Sequence, residues 1–117
     1  MPQGGRPQRV AEEFREVLAE EIPKLKDPRV GFVTVTQVDV SPDLRRAVVY
    51  YTVMGEERER KATRAGLRSA APRLRAEIGR QVRLKFLPDL DFREDESLER
   101  GGRVEELIQE IHREEEA

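Results

Sequence analysis

Between Val10 and Leu25 the apolar positions Val10, Phe14, Val17, Leu18, Ile22 and Leu25 recur three or four residues apart, the spacing that gathers side chains on one face of a helix. The pattern predicts an amphipathic helix over about residues 8–24, turned at Pro23, with a glutamate-rich outer face. The period then shortens. Phe32 to Val40 is dense in β-branched residues, Ser41-Pro42-Asp43-Leu44 has turn chemistry with proline fixing φ, and Ala47 to Met54 is β-rich again, which predicts an antiparallel hairpin. After Gly55, residues 56–80 are good helix formers with an apolar stripe at Leu67, Ala71, Leu74 and Ile78. Pro72 falls inside that stripe. A proline there removes a backbone donor and clashes with the preceding turn, so two helical halves with a break near Ala70, Ala71 and Pro72 are expected. Val82 to Leu87 alternates apolar with basic residues, as a strand ending at Pro88 would. From about Gly102, Val104, Leu107, Ile108 and Ile111 return to helical spacing before an acidic end.

Helix, strand, strand, helix, broken helix, strand and terminal helix make an α+β chain. The economical burial is one three-stranded sheet with the helices on one face, strands 1 and 2 forming the hairpin and a helical crossover bringing strand 3 beside strand 1 in parallel. That is the type II KH arrangement. A KH domain grips single-stranded nucleic acid through a GxxG loop between its central helices, and no GxxG occurs here. The expected layout is a flexible stretch at 1–6, one KH-like domain with its C-terminal helix at 7–111, and an acidic tail at 112–117.

Composition excludes several chemistries. The chain has 117 residues and no cysteine, so it has neither disulfides nor thiolate metal sites and suits a reducing cytoplasm. MPQGGRPQRV contains no apolar leader, and no run reaches the ~20 apolar residues of a membrane span. The net charge of −2 conceals an uneven distribution. Arg58 to Lys85 holds ten basic residues against Glu59 and Glu77, whereas Asp89 to Ala117 holds twelve acidic residues against four basic ones. A segment at +8 points to an anionic partner.

The candidate contacts are Lys61, Arg64, Arg68, Arg73, Arg75, Arg80, Arg83 and Lys85. Most are arginines, whose planar fork matches phosphate. A charged helix face is often only solvated surface, and the eight could also meet an acidic protein, which would make the chain an interaction adaptor. Most of the few aromatics fall at apparent core positions, so shape and phosphate recognition is expected rather than base stacking. His112 has no nucleophile or orienting carboxylate near it in the pattern, and Asp89, Asp91, Glu94, Asp95 and Glu96 read as a solvated acidic loop rather than a metal site or acid–base pair. No catalytic residue, metal, cofactor or small-molecule substrate is expected.

The stretch DPRVGFVTVTQVDVSPDL with the following RRAVVYYTV, the later IGRQVRLKFLPDLDF, and SLERGG leading into EELI together resemble the bacterial ribosome-binding factor A family, in the right order over about residues 7–111. The resemblance implies a KH-type monomer without enzymatic activity that binds the immature small ribosomal subunit and its ribosomal RNA. It would assist late maturation and rRNA processing in the cytoplasm. The family usually shows Ala-x-Gly at the helix kink, where this chain has Ala70, Ala71 and Pro72. Proline keeps a break but offers no backbone amide there.

Overall fold

The computed structural model describes residues 5–96. Helix α1 (Arg6–Glu21) ends in one 3-10 turn at Ile22–Lys24, and strands β1 (Val33–Val40) and β2 (Arg46–Val53), helix α2 (Glu57–Gln81) and strand β3 (Asp89–Glu94) follow. The α+β class and the single three-stranded sheet are as expected. The expected C-terminal helix and acidic tail lie outside the described residues.

Pro7 sits in the first turn of α1, where a missing N–H costs nothing, and Val10, Ala11, Phe14, Val17, Leu18 and Glu21 form its buried face. Pro23 tightens the exit into the 3-10 turn. The hairpin register runs from Val33 opposite Val53 to Val40 opposite Ala47, with a shift between Val35 and Gln37. That bulge re-phases the alternation: the buried residues of β1 are Val35 and Val38, three apart instead of two. At the turn, Ser41 N–H donates to the Arg46 carbonyl (2.9 Å) and Leu44 N–H to the Ser41 carbonyl (2.8 Å). The Asp43 carboxylate accepts from Ser41 Oγ (2.7 Å) and Arg45 N–H (3.1 Å). These bonds hold Leu44 at φ 62°, the left-handed region.

Three expectations are corrected. First, α2 is one helix through Pro72 rather than two halves. Pro72 is exposed and Ala70 and Ala71 are half-buried, while Leu67, Leu74 and Ile78 on either side are fully buried against one core. Packing of both halves on the same sheet outweighs the single hydrogen bond that proline removes. Second, Val82–Leu87 is a loop, and the third strand begins after Pro88 instead of ending at it. Arg75 holds that loop through its own side chain, with Nε donating to the Pro88 carbonyl (2.8 Å) and Nη2 to the Leu87 carbonyl (3.3 Å). Third, β3 lies parallel to β2, from Arg46 opposite Asp89 to Tyr51 opposite Glu94, not beside β1. The central strand is therefore β2, whose Ala47, Val49, Tyr51 and Val53 are all buried. Placing β3 next to the strand that precedes α2 needs only the shortest crossover.

Helix α1 lies over β1, α2 over β3, and the two helices meet each other above the sheet. One core joins Phe14, Leu18, Leu67, Leu74 and Ile78 to the inward residues of β1 and β2. Gly66 permits the close approach of α2 to the segment before β1, since a Cβ there would lie 2.6 Å from Val30 Cγ2.

Candidate nucleic-acid interface

The two helices present opposite charge to solvent. Glu12, Glu13, Glu16 and Glu20 are exposed on α1, whereas Lys61, Arg64, Arg68, Arg73 and Arg80 are exposed on α2. At 100° per residue, Lys61, Arg64, Arg68 and Arg75 fall on one flank of α2 and Arg73 and Arg80 on the other. Helix α2 starts from a capping box in which the Glu59 carboxylate accepts from the Glu56 N–H (3.0 Å). Its acidic first turn suits the positive end of the helix dipole. Arg83 and Lys85 extend from the loop after α2 and share no strand face.

The eight candidates separate by what already holds them. Arg75 is committed to the loop carbonyls and lies 3.6 Å from Asp89, so it positions backbone. Arg80 pairs with Glu77 one turn earlier, which also holds the Glu77 carboxyl below its usual range. Arg64 lies 3.8 Å from Glu94, whose carboxylate is only 8% exposed and is shared with Arg60 at 2.5 Å. A buried carboxylate needs such partners. Glu94 is thus a structural residue of β3 and not part of a solvated acidic loop, correcting that expectation. Lys61, Arg68, Arg73 and Arg83, by contrast, make no hydrogen bond or ion pair with any described residue. Their charge is open to a ligand.

Arg64 and Arg68 border a shallow cavity of about 90 Å³ between α2 and the free edge of β3, with Ala71, Leu90 and Phe92 as its apolar wall. Tyr51 is fully buried, and its hydroxyl makes no hydrogen bond of normal geometry with a described residue, although the Arg64 guanidinium stands near it. Burial pushes its pKa up, offset in part by the nearby Arg64 guanidinium. Among the described residues no three His, Cys, Asp or Glu side chains converge as a metal site would require, and His112 lies outside them. No helix among them is long and apolar enough to cross a membrane.

Sequence spacing missed a second cluster at the hairpin end, where Arg6, Arg45 and Lys85 surround Phe86. The sole sequence signal for it was an aromatic flanked by basic residues in RLKFLP, overshadowed by the strand-like alternation of the same stretch.

Comparison with known proteins gives a consistent result. The family profile for ribosome-binding factor A matches residues 6–108. The ribosome-binding factor A of Geobacter sulfurreducens is 49% identical over 110 residues, covering 93% of each chain. The crystal structure of ribosome-binding factor A from Thermus thermophilus superposes with a TM-score of 0.69 at 33% identity, covering 77% of this chain and 97% of that one. A homology model of Thermus thermophilus ribosome-binding factor A, as fitted into a cryo-electron microscopy map of a 30S complex, gives a TM-score of 0.63 at 35% identity, over 74% of this chain and 91% of that one.

Proposed function

This chain belongs to the ribosome-binding factor A family, and on that premise we propose that it binds the free small ribosomal subunit and assists late maturation and processing of its ribosomal RNA. It acts by binding alone, as a cytoplasmic monomer, with no catalytic residue, cofactor or metal. The domain that does this spans residues 7–111. The observation that carries the interface is the set of cations along α2 and the loop after it that pair with no described carboxylate: Lys61, Arg68, Arg73, Arg83 and Lys85. Arg64 stands at the edge of the set, tied to the buried Glu94. Arg75 and Arg80 belong to the basic segment but are engaged within the protein, so they support the surface rather than contact phosphate.

Five phosphate contacts release counterions and give a log affinity that falls with log salt at a slope of about −4, or about 250-fold between 50 and 200 mM. An acidic protein partner carries no condensed counterion atmosphere and gives a much shallower slope. The decisive experiment is sucrose-gradient fractionation of a cell lysate with immunodetection. The protein is expected with free small subunits and not with polysomes, because a maturation factor leaves before translation begins. Equal abundance across polysomes would overturn the function.

A further inference from the structure

At the end of the molecule away from the β1 and α2 N-termini, three elements separated in sequence meet: the start of α1, the β1–β2 turn and the loop between α2 and β3. They enclose a cavity of about 280 Å³ bordered by Arg6, Asp43, Leu44, Arg45, Lys85 and Phe86. Phe86 is 48% exposed. The Arg45 guanidinium carbon lies 4.3 Å from its centroid and the Lys85 ammonium 5.7 Å. An aromatic ring so open gains little from core burial, yet it sits where the chain has placed three cations.

We propose that this cavity takes one unpaired RNA nucleotide, its base stacked on the Phe86–Arg45 platform and its phosphates held by Arg6 and Lys85. The inference rests on the small-subunit function above and deepens it by adding a base-stacking contact to the phosphate contacts of α2. Each component has a reason. Nucleobases stack on aromatic rings and on guanidinium planes alike, and here the two are layered. The volume is near the lower end of small-ligand cavities, which suits a single nucleotide. The cations disfavour an apolar side chain as occupant, and a bare phosphate would make no use of the ring. Among the described residues the only carboxylate bordering the cavity, that of Asp43, is engaged with Ser41 Oγ and Arg45 N–H, and its hydrogen bonds hold the turn that presents Arg45. The loop that carries Lys85 and Phe86 also carries Arg83 and follows α2 directly in the chain.

The chain has no tryptophan, so Phe86→Trp in the full-length protein installs a single indole reporter at the platform. Two probes of equal charge separate stacking from electrostatics: octauridylate and an abasic phosphodiester octamer. Saturable quenching of the indole by octauridylate is expected, with no quenching by the abasic octamer and about tenfold weaker binding of it. Phe86→Leu is expected to bind octauridylate about tenfold more weakly while its melting temperature stays close to that of the parent. Equal affinity for the two octamers, or unchanged octauridylate affinity in Phe86→Leu, would overturn the proposal. Quenching by polyglutamate instead of octauridylate would assign the cavity to an acidic protein and overturn it as well. Co-sedimentation of the parent with small subunits is scored in parallel: intact co-sedimentation without octauridylate quenching means that the nucleotide site alone fails. Octauridylate quenching without co-sedimentation means that the small-subunit function alone fails.

Discussion

Replacing Pro72 with alanine tests whether α2 is one helix in solution. Pro72 is exposed, inside the helix, and flanked by buried Leu67 and Leu74, so alanine at 72 fits without repacking the core. The substitution restores an N–H that can donate to the Arg68 carbonyl and removes the clash of the ring with that turn. The intrinsic difference between proline and alanine in a helix interior is about 3 kcal/mol. That figure is an upper bound, because both halves of the helix are already anchored and because proline stiffens the unfolded chain by about 0.4–1 kcal/mol. A net gain of about 1–2 kcal/mol remains, worth about 5–10 °C in melting temperature for a domain of this size. Far-UV circular dichroism should be unchanged, since the residues around 72 are helical already, and RNA affinity should be unchanged because no cation moves. The assay is thermal melting followed at 222 nm beside a salt titration of RNA binding. A lower melting temperature together with deeper helical ellipticity would refute the continuous helix, because it would mean that alanine had joined two segments that the native chain keeps apart.

Arg75→Ala is expected to lose about 2 kcal/mol of stability, since the Leu87 and Pro88 carbonyls lose a charged donor, whereas Arg68→Ala should change stability by less than about 0.5 kcal/mol and reduce the salt slope of RNA binding by about one; the reverse assignment would sink the division between positioning and contacting arginines. Tyr51→Phe removes a buried hydroxyl that makes no hydrogen bond of normal geometry with a described residue, so stability should stay level or rise by about 1 kcal/mol, and a loss above about 1 kcal/mol in chemical denaturation would reveal a bonded hydroxyl. Asp43 has its pKa lowered by the Ser41 hydroxyl and then by the Arg45 backbone N–H; because the folded value lies below the unfolded one near 3.9, its contribution is present at neutral pH and fades as pH falls through about 4 and below. Melting temperatures measured from pH 7 to pH 3 should therefore fall less steeply in Asp43→Asn than in the parent, and identical slopes would contradict the turn geometry.

What was legible in the sequence was whatever local periodicity decides. The α1 stripe, the β-branched hairpin and the Ser41–Leu44 turn each follow from spacing within a few residues of the chain. The third strand was not, because two segments competed for it. Val82–Leu87 alternates apolar with basic residues, and Asp89–Glu94 alternates acidic with apolar ones, Leu90 and Phe92 standing between charged neighbours. Carboxylates are poor strand formers, so the first segment looked better on propensity. The choice was made by a distant residue: Arg75 takes the Leu87 and Pro88 carbonyls and so commits the end of that segment to a loop. Nothing in the sequence near 87 announces that.

The same non-local pairing explains why counting charge along the chain overestimates how many of its cations stand open. The basic segment stands at +8 and the segment after it at −8, and β3 is where the second begins. By lying parallel to β2 under α2, β3 places Glu94 against Arg60 and Arg64 and Asp89 against Arg75, so part of the apparent footprint is spent inside the fold. Of the eight candidates, those that pair with no described carboxylate are Lys61, Arg68, Arg73, Arg83 and Lys85, Arg68 among them although it borders the cavity beside β3. Burial also makes the two groups differ in kind. Glu94, nearly enclosed, would be left uncompensated if its arginines turned to RNA, whereas Arg68 or Arg73 loses only water on meeting a phosphate. On the proposed interface, affinity for RNA scales with the open set rather than with the segment's formal charge, which puts the expected salt slope at about −4 and not at the value that eight contacts would give.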